Sequence, residues 1–146
     1  MVSARTLSKF AGKVFRVLGK TPPAKRAQLV ILSGNLGSGK TTFVQNFAKL
    51  FGVKNRVLSP TFVFVHEHKT SRLSRFDKII HVDAYRMGTK RDVIAVGLRS
   101  YLKDQKNLVL IEWGERIKKW LPKPDLTVEF HHHKPHLRRV RIIKTK

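Results

Sequence analysis

Cysteine is absent from this chain of 146 residues, which excludes a disulfide framework and thiolate chemistry. That absence fits a reducing, cytoplasmic setting. No apolar run approaches the ~20 residues that a membrane-spanning helix needs, so no membrane association is expected. Carboxylates are almost as scarce. Nine Asp and Glu stand against 31 Lys and Arg, a formal charge of +22. The first acid is Glu67, so residues 1–66 carry eleven basic side chains and no carboxylate. Such a field attracts polyanions. It fits direct contact with RNA or DNA. It also fits a compositional drift of a whole basic proteome, because the charges are dispersed and no RNA-binding aromatic motif accompanies them. The scarcity of acids is itself diagnostic: one placed at the end of an apolar strand needs a reason.

What is present points to an ordinary globular core. A hydrophobic content of 41% argues against global disorder, and the length suits one domain over residues 1–146. Residues 5–18 place Leu7, Phe10, Val14, Val17 and Leu18 at helical spacing. This basic, acid-free amphipathic segment has the composition of a mitochondrial presequence, but it runs into the domain without a linker. Strand-length apolar runs follow at Gln28–Ser33, Phe62–Val65, Lys78–Val82 and Asn107–Ile111. Helices are expected over Thr42–Phe51 and Met87–Lys106, and a polar loop over His66–Phe76. Leu126–Phe130 and Val140–Ile143 alternate apolar and polar residues around HHHKPH, a β-hairpin pattern. His131, His132, His133 and His136 could bind a metal, but consecutive strand residues alternate faces, so an exposed hairpin end is expected instead. Strands alternating with helices imply a mainly parallel sheet with flanking helices, an α/β fold.

One motif carries chemistry in that setting. Gly34 to Thr41, GNLGSGKT, fits the phosphate-loop pattern G-x-x-x-x-G-K-[ST] between a strand and a helix. Gly34, Gly37 and Gly39, around Ser38, let backbone N–H groups turn inward on phosphate oxygens. The helix N-terminus adds partial positive charge. Lys40 is expected on the β- and γ-phosphates, the Thr41 hydroxyl on Mg²⁺, and Thr42 on the α-phosphate. Such a loop needs a metal-side acid at the end of a neighbouring strand. Asp83 and Glu112 both qualify, each ending an apolar run at the carboxyl edge of the sheet. One is expected to bind the metal, directly or through water, while the other orients the attacking water. Thr89-Lys90-Arg91-Asp92 looks like the [NT]-K-x-D signature that reads guanine. A turn rather than an apolar strand precedes it, and no D-x-x-G sequence accompanies it. It reads better as the start of a helix, with Asp92 in the first turn, so the expected nucleotide is ATP.

GNLGSGKTTF, SPTF (Ser59–Phe62), HVDAYR (His81–Arg86) and LIEWGERI (Leu110–Ile117), followed by Leu121-Pro122, together resemble the TsaE (YjeE) family over roughly residues 4–143. The resemblance implies a single-domain P-loop NTPase, an ATPase of the bacterial machinery that forms threonylcarbamoyladenosine on tRNA. It implies TsaB and TsaD as partners, tRNA reached through that complex, and ATP/ADP with Mg²⁺ as cofactors. It assigns Lys40, Thr41 and Thr42 to the triphosphate and metal, and Thr61 to a switch-like sensor of the γ-phosphate. Asp83 matches the essential Asp of D-x-Y-R, Glu112 the metal-side Glu, and Trp113 the Trp after it. Glu115 and Arg138 fall in regions that border the nucleotide in such proteins. Three departures stand out. Asn35 replaces an acid in the loop, the segment Lys90–Val96 holds only Asp92 where the family is acid-rich, and the N-terminus is short.

Two other functions fit parts of the sequence. A small-molecule or nucleoside kinase would use the loop His66–Phe76, with Arg72 and Arg75, as a lid. A nucleotide-gated RNA-binding module would use the basic charge. Tyr85 and Arg86 are candidates for a partner contact, and Arg86 equally for an ion pair with one of the few acids.

Overall fold

The computed structural model describes residues 6–60, 63–135 and 137–145. Its centre is set by the most apolar strands. β1 (Gln28–Gly34) and β4 (Asn107–Glu112) lie side by side and parallel, with Val30 opposite Leu110 and Ile31 opposite Ile111. Strands covered on both faces read as continuous apolar runs, and every residue of β4 is buried. β3 (Lys78–Asp83) pairs parallel to β4, and β5 (Leu126–Lys134) parallel to β1. β2 (Val65–Lys69) and β6 (Leu137–Lys144) close the two edges antiparallel. The order is β2-β3-β4-β1-β5-β6, a mixed, mostly parallel sheet with a C-terminal hairpin.

Two helical layers cover it. On one face lie α1 (Leu7–Gly19) and α2 (Lys40–Lys49). α1 turns Leu7, Ala11, Val14 and Leu18 into the core, at the spacing of one helix face. Each fully buried leucine there contributes about 1.5–3 kcal/mol. A file of rings fixes α2 against the sheet: Phe43 stacks on Phe47 at 5.2 Å and meets Phe130 of β5 edge-on at 5.7 Å. On the other face lie α3 (Lys90–Ala95), α4 (Leu98–Lys103) and two 3-10 turns, Gly114–Arg116 and Lys118–Trp120.

The structure corrects three boundaries. The second strand begins, rather than ends, at Val65, and residues 66–69 belong to it instead of to a loop. Phe64 adopts φ 63, a left-handed conformation that interrupts extended chain. The polar strand beyond it is an edge with one wet face: Glu67 bonds Lys78 and Tyr101 outside, while His68 is buried. The helix expected over residues 87–106 is two short helices, broken at Gly97 with φ 70. The hairpin strands are longer than their apolar segments, running through His131–His133 to a turn near Lys134; all three histidines are exposed. His136 lies outside the described residues.

Candidate active site

The phosphate loop leaves β1 and enters α2 at the carboxyl edge of the sheet. Gly34 has φ 147, and a Cβ there would run into the Phe130 carbonyl oxygen and the Ser38 hydroxyl. Gly37 and Gly39 sit at φ 70 and φ 100, and Gly39 is the residue from which α2 starts. These are conformations that side chains resist, so the loop's shape depends on its glycines. Ser38 and Lys40 are buried. The Lys40 ammonium donates to the carbonyls of Gly34 at 2.6 Å and Asn35 at 3.0 Å, and lies 4.2 Å from the Trp113 ring centre. Burial pulls its pKa below the ordinary lysine value, against the opposing charges of Glu112, Glu115 and Asp83.

The two strand-end acids meet across the sheet. Asp83 and Glu112 are register partners in the parallel pair β3–β4, and both are buried. The Thr41 hydroxyl donates to Glu112, at 2.9 Å to Oε1 and 3.2 Å to Oε2. His81 Nε2 lies 2.8 Å from the same Oε1. Asp83 Oδ1 accepts the Tyr85 backbone N–H at 2.9 Å. Trp113 follows Glu112 with φ 59 and packs its ring 5.0 Å from Tyr85. A non-glycine residue held left-handed stores of order 1–3 kcal/mol of strain, and such strain clusters at functional sites.

Lys40, Thr41, Thr42, Asp83, Glu112 and Trp113 line one cleft of ≈ 300 Å³, with Gly37, Ser38 and Gly39 at its phosphate-loop end. Ser59, Tyr85 and Arg86 complete its rim. Arg138 on β6 donates to the Gly37 carbonyl at 3.3 Å, so it borders the loop from the hairpin. Glu115 is exposed in the first 3-10 turn and reaches the site through its charge on Lys40. Thr61 lies outside the described residues. His81 was missed by sequence reasoning; its signal is a polar side chain in the middle of the apolar run Lys78–Val82. The donor set fits Mg²⁺: a hydroxyl and two carboxylates beside a phosphate loop supply the few hard oxygen ligands that this ion takes when phosphates supply others.

The remaining motifs fall elsewhere. Thr89 and Asp92 form a capping box at the start of α3. Asp92 N–H donates to the Thr89 hydroxyl at 3.2 Å, and Asp92 Oδ2 accepts from the N–H groups of Thr89 at 2.8 Å and Gly88 at 2.9 Å. The Gly88 and Thr89 N–H groups hold its carboxyl below the ordinary aspartate range. Arg75 donates to the Leu18 carbonyl at 2.8 Å, bonds Gln28 and lies over the Phe76 ring. It is therefore fastened at the start of β1, the opposite end of that strand from the phosphate loop.

The chain is similar to known proteins over most of its length. A family model described as "Threonylcarbamoyl adenosine biosynthesis protein TsaE" matches residues 3–140. Curated relatives carry the name tRNA threonylcarbamoyladenosine biosynthesis protein TsaE. The one from Rickettsia bellii is 38% identical over 105 residues, 71% of this chain and 69% of the relative. That from Bacillus subtilis is 35% identical over 105 residues, 72% of this chain and 62% of the relative. That from Haemophilus influenzae is 30% identical over 128 residues, 88% of this chain and 77% of the relative. The crystal structure of Bacillus subtilis YdiB superposes with a TM-score of 0.70 at 27% identity, covering 96% of this chain and 79% of that one.

Proposed function

The chain belongs to the TsaE family, and from that premise we propose that it is the Mg²⁺-dependent ATPase subunit of the machinery that forms threonylcarbamoyladenosine on tRNA. In this reading it works in the cytoplasm with TsaB and TsaD, the latter transferring the group to tRNA, while ATP hydrolysis resets the complex. One observation carries the nucleotide chemistry: the Thr41 hydroxyl and the Glu112 carboxylate lie 2.9 Å apart, beside Lys40 and below a glycine loop. Mg²⁺ bound there would neutralise triphosphate charge. Thr41 and Glu112 would hold it, with Asp83 as a further ligand through water. The loop N–H groups and Thr42 bind the phosphates. Lys40 exchanges its contacts with the Gly34 and Asn35 carbonyls for the γ-phosphate, where its charge is worth most as the phosphoryl group leaves. Asp83 orients the attacking water. Thr61 senses the γ-phosphate, Trp113 offers a ring face to the nucleotide, and Glu115 and Arg138 bound the site.

Two observations weigh against the competing functions. Arg75, one of the two lid arginines of the kinase reading beside Arg72, is tied to α1 and Gln28 at the far end of β1. Asp92, the guanine reader of a GTPase, spends its carboxylate on its own helix cap. A direct RNA contact has one specific observation in its favour: Lys9, Lys13, Arg16 and Lys20 are all exposed and form a line opposite the buried face of α1.

The experiment is phosphate release from ATP, without added acceptor, by the chain alone and mixed with the TsaB and TsaD proteins. The parent is expected to turn over in the mixture and only weakly alone. Lys40→Ala is expected to lose about a hundredfold or more, and Glu112→Ala to lose the response to Mg²⁺. Parent-like hydrolysis by both variants overturns the site. Release that needs a small-molecule acceptor favours the kinase.

A further inference from the structure

His81 stands where the strand pattern calls for a hydrocarbon. It is the fourth residue of Lys78–Asp83, flanked by Ile79, Ile80 and Val82, and its side chain has 0% exposure. A buried polar group costs stability unless a hydrogen bond compensates it. The bond it makes goes to the acid at the centre of the cleft, with Nε2 at 2.8 Å from Glu112 Oε1. The sheet register explains the reach. Asp83 pairs with Glu112 and His81 with Leu110, so alternation puts His81, Asp83, Leu110 and Glu112 on one face. His81 then lies one step beneath the carboxylate.

The chemistry of the pair fixes the proton. An ionised carboxylate only accepts, so the 2.8 Å contact to Glu112 requires a hydrogen on Nε2. Among the described residues Nδ1 has no hydrogen-bond partner, and leaving an acceptor unpaired costs less than leaving a buried N–H so. Glu112 therefore receives two donors, Thr41 from the phosphate loop and His81 from below, which together set its rotamer. We propose that His81 is a positioning residue: its Nε2–H holds the Glu112 carboxylate aimed at the Thr41 hydroxyl, so that Mg²⁺ tightens nucleotide binding. This rests on the reading of Glu112 as the metal-side acid. Partners that orient metal-binding side chains typically change metal affinity by about 10–100-fold when removed.

The test measures ATP affinity calorimetrically with and without Mg²⁺, on the full chain, for the parent, His81→Phe, His81→Gln and Glu112→Ala. Phenylalanine keeps an aromatic ring in the strand and removes the donor; glutamine restores an N–H donor. His81→Phe is expected to keep the Mg²⁺-free affinity and lose about tenfold of the gain from Mg²⁺, with His81→Gln recovering most of it. An equal loss with and without Mg²⁺, or no loss, overturns the proposal. If Glu112→Ala keeps the full Mg²⁺ gain, the reading of Glu112 falls and the role of His81 falls with it. If Glu112→Ala loses the gain and His81→Phe does not, only the role of His81 falls. A second readout does not need a stable His81 variant. The ¹⁵N resonances of His81 in the parent are expected to show the Nε2–H tautomer, with its imide proton shifted on Glu112→Ala. An Nδ1–H tautomer overturns the proposal.

Discussion

A carboxylate occupied by the N–H groups of its own turn has little left to offer a guanine base. Asp92 is such a residue: both Gly88 and Thr89 donate to it, and it stands outside the cleft that holds Lys40 and Glu112. Replacing Asp92 with alanine is therefore expected to leave the preference for ATP over GTP unchanged. Competition of the two nucleotides for the variant checks this, and a shift away from GTP would restore the guanine reading. The contrast with Asp83 shows which single residues were legible. Asp83 and Glu112 each end an apolar run in a chain with few acids, and the fold brings them to register as partners. The glycine loop was legible because its residues are consecutive. His81 was not, because a histidine inside an apolar strand has the same local pattern whether it fills the core or meets an acid on the next strand. Only the packing of β3 against β4 reveals Glu112 Oε1 at 2.8 Å.

At the scale of elements, strands buried on both faces announced themselves, while edges and breaks did not. Gln28–Ser33 and Asn107–Ile111 are continuous apolar runs and became the sheet centre. β2 was displaced in the reading because its solvent face is Glu67 and Lys69 and its inner face holds histidine. The split between α3 and α4 depends on a single backbone conformation. Gly97 has φ 70, no atom lies within 4 Å of where its Cβ would be, and its carbonyl accepts the Ser100 and Tyr101 N–H groups as α4 begins. Space is therefore not the obstacle to a side chain there; the left-handed backbone is. Gly97→Ala is expected to destabilise the fold by about 1 kcal/mol, read as a lower denaturant midpoint with an unchanged slope. An unchanged midpoint would mean that α3 and α4 merge into one helix at no cost.

Over the whole molecule the charge has a pattern that composition alone conceals. The layer of α1, α2 and their connections contains no carboxylate, since the first acid is Glu67. Opposite the buried line Leu7, Ala11, Val14 and Leu18, the exposed line Lys9, Lys13, Arg16 and Lys20 repeats the same 4-3-4 spacing one face away. At 1.5 Å per residue this line is roughly 16 Å long. A helix that lies on a membrane needs its apolar face free, and that face of α1 is packed into the core with Phe43 and Val44. RNA phosphates need only the charged side. The parent is therefore expected to bind tRNA with an affinity that falls steeply as salt rises, through release of counterions. Replacing Lys9, Lys13, Arg16 and Lys20 together with glutamine should flatten the log–log salt slope by about one for each side chain, leaving ATP affinity intact because none of the four lines the cleft. Filter binding over a salt series checks both arms. A parent affinity that ignores salt, or a quadruple variant with the parent's slope, would remove RNA from this face and leave the charge as composition.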